Sequence, residues 1–176
     1  MNLEDLKSDG VRNFMAEEVE LDIEREKLYM SKRLKTGFEN NYITLLQDAI
    51  VDGDTGTFAQ CILNEDCLKN MEPSKRSSTG MKKVPKNAHE TLGEGEFNRF
   101  YCRGVCRKAI EEGHELEIYR AKQVQRPRSA SLELIGKTVD PKQLLEDLRK
   151  NIGVDTALGV PKGPNSGLSV KIRNNV

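Results

Sequence analysis

Residues 95–113, GEFNRFYCRGVCRKAIEEG, carry the clearest structural pattern in the chain. Four apolar residues in this stretch recur at intervals of four: Phe97, Tyr101, Val105 and Ala109. This spacing places them on one face of an α-helix. Gly113 follows the last apolar turn, where glycine readily adopts the left-handed conformation that ends a helix. The pattern predicts a helix over residues 95–112.

Beyond this helix, the sequence predicts short strands and one more helix. Leu116 and Ile118 alternate with charged neighbours, as in a strand with one buried face. Asp140 and Pro141 are typical of the residue before a helix and of its first position. Near the end of the chain, three apolar residues alternate again: Leu168, Val170 and Ile172. We therefore expect residues 95–176 to form a small α+β domain with an extended C-terminal tail.

Before residue 95, the longest predicted element is a single helix over residues 11–36. Its apolar residues form two stripes, and the second has a spacing of seven: Phe14, Leu21 and Leu28. Thr36-Gly37 marks its predicted end. The remaining faces are strongly acidic between Glu17 and Glu26. Because such a helix can bury little surface by itself, we expect it to pack against a partner surface.

Two shorter helices are predicted to follow. The first covers about residues 40–51, and the second begins near Thr57 and continues to Asn70. The sequence Thr57-Phe58-Ala59-Gln60 fits a capping box at the start of the second helix. Residues 1–71 are therefore expected to form a helical N-terminal region.

Residues 72–94 have a different composition from the rest of the chain. The sequence EPSKRSSTGMKKVPKNAHETLGE is rich in Ser, Thr, Lys, Pro and Gly, which predicts a linker or an extended arm. It is basic because of five side chains: Lys75, Arg76, Lys82, Lys83 and Lys86. The whole chain is therefore predicted to be mainly α with short β strands (α+β): a helical N-terminal part, an extended arm and a small C-terminal α+β part.

Composition limits the possible classes of protein. The chain has 176 residues, a mean hydropathy of -0.63, and 28 basic and 28 acidic side chains. These values exclude a collagen, a disulfide-rich mini-protein and a membrane protein. The charge is unevenly distributed, since residues 1–70 carry 15 acids and 8 bases while residues 71–176 carry 13 and 20. This asymmetry fits either docking of one copy on the next or packing of the two parts on each other.

The first residues, MNLEDLKSDG, contain acids and are followed by no apolar segment typical of a signal peptide. We therefore expect a protein that is not secreted through a signal peptide. Its four cysteines are expected to be reduced thiols.

Few residues have the arrangement that catalysis or metal binding requires. Cys102 and Cys106 lie one helical turn apart, and Cys61 and Cys67 could complete a zinc site with them. Neither pair has the two-residue spacing of a zinc knuckle, so burial among apolar residues is the favoured interpretation. His114 could in principle act as a base for Cys102 or Cys106, but its position just after a helix end favours capping of the helix carbonyls, and His89 lies in the predicted arm. We expect no enzyme activity, no catalytic or metal-binding residue, and no cofactor.

Two stretches carry a resemblance to known proteins: GEFNRFYCRGVCRKAIEEG at 95–113 and LGVPKGPNSGLSVKI at 158–172. They resemble segments of uncharacterised proteins of tailed bacteriophages and prophages. This resemblance implies a phage setting, with a virion component as one form of it. The expected location is therefore the virion or the cytoplasm of the host cell, and no site residues follow from the resemblance.

The leading hypothesis is a non-enzymatic subunit of a larger assembly, such as the head or neck of a phage particle. Its partners would be copies of itself or other subunits, with no membrane. The alternative is a nucleic-acid-binding or regulatory protein that acts through its basic segments. Six residues are the predicted partner contacts: Phe14, Leu21, Leu28, Lys82, Lys83 and Arg126.

Overall fold

The fold is mixed α+β with helices predominating, as the sequence predicts. The computed structural model describes residues 1–125, 127, 129–161 and 166–173. Its elements in chain order are α1 (Val11–Glu24), α2 (Glu39–Asp52), α3 (Thr55–Asn64), β1 (Met71–Pro73), β2 (Met81–Lys83), α4 (Ala88–Glu112), β3 (Leu116–Arg120), α5 (Ser129–Leu132), β4 (Thr138–Val139), α6 (Pro141–Lys150) and β5 (Leu168–Ile172).

Helix α4 is the centre of the core. Helices α1, α3 and α6 and strand β5 all pack against it, and its predicted apolar face is fully buried. Two glycines permit this packing, because a Cβ at Gly93 would lie 2.7 Å from the Ala59 Cα atom and a Cβ at Gly104 would lie 2.7 Å from the Met15 Cγ atom. The prediction of this helix is confirmed, although it begins seven residues earlier, at Ala88.

The predicted long helix over residues 11–36 is wrong in its second half. Helix α1 ends at Glu24, after which Glu26 adopts a left-handed backbone conformation with a φ of 52°. The backbone N–H groups of Lys27 and Leu28 both donate to the Asp22 carbonyl, which closes the helix. Leu28 then packs against the core from a loop. Tertiary packing therefore overrides a helical period that continues in the sequence.

Helix α2 confirms the predicted helix over residues 40–51, whereas the boundaries of the next helix differ from the prediction. Asp54 caps α3 by accepting from the N–H groups of Gly56 and Thr57, and Thr57 is the third residue of the helix, which closes the capping box, instead of the cap. The helix ends at Asn64 instead of Asn70 because Asp66 has a φ of 49°.

Residues 72–94, predicted as a linker or arm, contain most of a hairpin and the first turns of α4. Strands β1 and β2 are antiparallel, with Glu72 opposite Lys82 and Pro73 opposite Met81. The hairpin is joined to the body by Arg33, whose guanidinium donates to both oxygens of Glu72 at 2.6 and 3.1 Å.

A three-stranded sheet with the order β4-β3-β5 packs through β5 against the middle of α4, at Asn98 and Cys102. Strands β3 and β5 confirm the two predicted alternating segments, and Asp140 caps α6 with Pro141 in its first turn, as predicted. The N-terminal segment crosses this sheet: the Tyr119 hydroxyl donates to the Asn2 carbonyl, and the Tyr101 hydroxyl accepts from the Asp5 N–H. Across residues 1–125, 127, 129–161 and 166–173, no helix has the length and apolar character needed to cross a membrane.

Candidate functional site

A cluster of buried charges joins α1, α4 and α6. Arg103 donates to Glu18 at 2.8 Å and to Asp22 at 2.5 and 2.9 Å, and Arg149 donates to Glu18 at 2.9 and 2.5 Å. Glu18, Asp22 and Arg103 are at most 3 % exposed. We call these four residues the charge cluster.

The charge cluster is saturated with internal hydrogen bonds. Burial by itself would raise the pKa of Glu18, but the hydrogen bonds and positive charges of Arg149 and Arg103 outweigh it and hold the pKa below its ordinary value. A carboxylate with this many partners has little capacity left for a substrate. The charge cluster is therefore an element of stability that positions three helices.

The cysteines lie at packing positions. Cys67, Cys102 and Cys106 are buried, and all four cysteines are free thiols. Burial raises the pKa of Cys102 to about 11 and that of Cys106 well above its ordinary value, so both are protonated at neutral pH. In the part of the chain that the structure describes, no group of three or more Cys, His, Asp or Glu side chains is arranged to hold a metal ion.

The three predicted contact residues of the helix stripe do not share one helix. Phe14 lies on α1 with the Arg107 guanidinium 4.5 Å from the centre of its ring, and Leu21 is half-buried on the same helix. Leu28 lies beyond the end of α1, on the loop that packs against the core. The stripe is therefore divided between a helix and a loop.

The predicted basic contacts lie apart from this stripe. Lys82 and Lys83 are exposed on β2, and the Lys82 Nζ atom lies 3.1 Å from a carboxylate oxygen of Glu72. Arg126 lies outside the residues that the structure describes.

One side of the hairpin combines apolar and basic side chains. Cross-strand partners lie on the same side of an antiparallel pair, and side chains alternate along each strand. The pairing of the two strands therefore places four residues together, which we call the hairpin face: Met71, Pro73, Met81 and Lys83. Met71 is 41 % exposed and Met81 39 % exposed. A groove lined in part by Leu63, Met71 and Lys83 extends this surface toward the end of α3.

A second concave surface lies beside the first half of α4. This cleft has a volume of about 200 Å³ and is bounded by α4, the loop after α1 and the segments after α6. Glu96 and Arg99 line it from α4, and Tyr29 lines it from the loop after α1. Gly153 and Gly167 line it from the segments after α6. The Tyr29 ring packs directly on Gly153, where a Cβ would lie 2.3 Å from the Tyr29 Cδ2 atom.

Glu96 is the unusual group of this cleft. It is 8 % exposed, and its closest cation is the Arg99 Nε atom at 3.9 Å. The two terminal nitrogens of Arg99 donate instead to the carbonyls of Asn151 and Val154. Burial raises the pKa of Glu96 to about 7, although Arg99 and Arg103 act in the opposite direction. The side chain of Glu96 is thus largely buried, its pKa lies near neutral pH, and the residue lines the cleft.

The sequence did not identify this cleft. Glu96 and Arg99 lie within the predicted helix, where charged residues between apolar positions indicate an exposed face. The glycines at 93 and 95 were the available indication, since small residues in a helix permit close packing around it. The two stretches of phage resemblance do meet here: the Asn98 side chain donates to the Leu168 carbonyl at 2.9 Å.

Comparison with known proteins assigns no family to this arrangement. A scan against protein-family models, a search of curated proteins and a search of solved structures each found no match to the chain.

Proposed function

We propose that the protein is a non-enzymatic subunit of a larger assembly and that the hairpin face is its contact surface. The observation that carries this proposal is the exposure of Met71 and Met81 on a hairpin outside the core. Exposed apolar side chains rimmed by polar ones are characteristic of protein contact surfaces, and methionine is enriched in them. The phage resemblance favours the head or neck of a tailed-phage particle as the assembly.

The anchoring of the hairpin supports this role. Arg33 is paired with Glu72, and the Val84 N–H donates to the Asn70 carbonyl at 3.0 Å. These contacts hold the base of the hairpin, while its turn at residues 74–80 stays exposed or half-exposed. A partner would therefore meet a positioned surface and would have little chain to order on binding.

Charge complementarity points to a second copy of the chain as the partner. Residues 71–86 carry five basic side chains and one acid, whereas α1 presents the exposed acids Glu17, Glu20 and Glu24. The hairpin of one copy would thus contact the acidic helix of the next. Nucleic acid is the second candidate partner, but residues 71–86 contain no aromatic side chain on which bases could stack.

Light scattering coupled to size exclusion, with absorbance at two wavelengths, tests this proposal. We expect a defined oligomer in low salt that dissociates as the salt rises from roughly 50 to 500 mM. The double change Met71→Asp and Met81→Asp should give a monomer. Val51→Asp is the matched control because Val51 is 70 % exposed on α2, and it should leave the oligomer intact.

Two results would overturn the proposal. One is a wild-type monomer at all concentrations, and the other is an oligomer that the double change leaves intact. The absorbance ratio would also reveal bound nucleic acid. Nucleic acid that is released by salt, and that is absent when Lys82→Ala and Lys83→Ala are introduced, would instead support the nucleic-acid-binding alternative.

A further inference from the structure

The cleft beside α4 has the composition of a small-molecule site. Its volume of about 200 Å³ is sufficient for a single ring system. The Tyr29 ring, held against Gly153, provides a planar apolar wall, and Leu68 and Leu92 add aliphatic surface. Pockets of this kind bind the body of a ligand by apolar contact and fix its orientation with few polar groups.

Glu96 is the polar group that has no internal role in this cleft. Within the described residues, its carboxyl group receives no hydrogen bond, and the nearest cation, Arg99, donates to two backbone carbonyls. Such a carboxyl group is costly to bury, because it has lost most of its hydration and has gained no protein donor in return. The contrast with the saturated charge cluster shows that the fold can provide partners for buried carboxylates elsewhere.

A second polar group near Glu96 is the hydroxyl of Tyr42. The Tyr42 hydroxyl is buried without a hydrogen-bond partner. Burial raises the pKa of Tyr42 well above its ordinary value, and the nearby negative charge of Glu96 adds to this effect. A buried hydroxyl without a partner thus lies near the carboxyl group that lines the cleft.

We propose that the cleft binds a small planar ligand that presents two adjacent N–H donors, of the amidine, guanidine or 2-amino-lactam class. The two donors would pair with the two oxygens of Glu96, as the two N–H groups of a guanidinium do with a carboxylate. The ring of the ligand would lie against Tyr29. The cations that line the cleft are engaged elsewhere, since Arg99 donates to backbone carbonyls, Arg33 to Glu72 and the Met1 ammonium to Thr55, so the carboxylate remains available to the ligand.

Binding should strengthen as the pH rises through about 7, because only the ionised Glu96 accepts two hydrogen bonds. Other charged or titratable groups face Glu96 or its cleft from each packed element: Arg99 and Arg103 on α4, Asp22 on α1, Tyr42 on α2, Tyr29, Arg33 and Asp155 on the loops, and the terminal ammonium of Met1. We assign the predicted transition in binding between about pH 6 and 8 to Glu96.

Benzamidine and isocytosine, a single-ring 2-amino-lactam, are the probes for this test, since one is a cation and the other is neutral. Titration of each into the full chain, followed by calorimetry and by the amide NMR shifts of the cleft residues Gly95, Gly153 and Gly167, should show binding in the range of about 0.1–1 mM. Binding of benzamidine alone would assign a cationic ligand, and binding of isocytosine would assign a neutral heterocycle.

Glu96→Gln is the diagnostic variant because it keeps the shape of the side chain while replacing one acceptor with a donor. It should weaken binding of the probe about tenfold or more. Glu94→Gln is the matched control on the same helix, since Glu94 pairs with Lys122 and does not line the cleft. Three results would each overturn the proposal: no binding of either probe at several millimolar, equal affinity in wild type and a folded Glu96→Gln, or equal weakening in both variants.

Discussion

The charge cluster and the cleft place buried carboxylates in two contrasting environments along the same helix. Glu18 receives hydrogen bonds from Arg103 and Arg149, and its pKa lies below the ordinary value. Glu96 is buried almost as deeply, but it has no such donor and its pKa rises to about 7. The difference shows that burial alone does not decide what a carboxylate does. Its donors determine whether it stabilises the fold or remains available to a ligand.

The largest effect is expected from removing the shared cation of the charge cluster. Arg103→Met leaves Asp22 buried without its cation and removes one of the two arginines that donate to Glu18, so we expect the free energy of unfolding to fall by about 3–5 kcal/mol. Urea denaturation followed by circular dichroism measures this change. Lys150→Met, at an exposed position on α6, should change it by less than about 0.5 kcal/mol. A loss of less than about 1 kcal/mol in Arg103→Met would mean that the cluster does not join the helices.

A smaller loss is expected when the charge of Glu18 itself is removed. Glu18→Gln weakens the hydrogen bonds from Arg103 and Arg149 and should destabilise the fold by about 2–3 kcal/mol at neutral pH. Because the pKa of Glu18 is lowered in the folded protein, its contribution is present above its ordinary pKa and is lost as the pH falls through the folded value. The variant should therefore converge with wild type in acid. Glu17→Gln, at the exposed neighbouring position, should follow the wild-type curve, and a variant that stays parallel to wild type into acid would contradict this account.

The smallest effect has the opposite sign and concerns Glu96. Its raised pKa means that the folded protein binds more protons than the unfolded chain, so the stability of wild type should decline as the pH rises from about 4.5 to about 7. Glu96→Gln should remove this decline and be more stable than wild type by about 1–3 kcal/mol near pH 8. Thermal unfolding across this pH range measures the difference, with Glu94→Gln as the control. A less stable Glu96→Gln at that pH would show that Glu96 has stabilising partners after all.

These predictions also define what the sequence could and could not provide. Helices α4 and α6 and strands β3 and β5 follow from local patterns, since their apolar periods and the Asp140-Pro141 cap lie within each element. The end of α1 does not, because the apolar period continues beyond Glu24 while the chain turns to bring Leu28 onto the core. That turn depends on contacts between residues far apart in the chain.

The cleft was also beyond the reach of local patterns. Helix α4 is surrounded by α1, α3, α6 and β5, so polar residues such as Glu96 and Arg103 are buried at positions where the helical period predicts exposure. Whether each of them has partners depends on which side chains the other elements bring to it. The basic hairpin residues Lys82 and Lys83 were easier to identify, because exposure follows directly from the polar composition of their segment.

The attachment of the N-terminal segment has a consequence for how the protein folds. Asp5 accepts a hydrogen bond from the Ile172 N–H, 167 residues away, and the Glu4 N–H donates to the Tyr119 hydroxyl across 115 residues. Contacts that close such long loops form late, because the entropy of loop closure is lost before the contact compensates for it. We therefore expect the contacts between the N-terminal segment and β5 to be among the last to form. In kinetic terms, the two ends of the chain act as one closing unit.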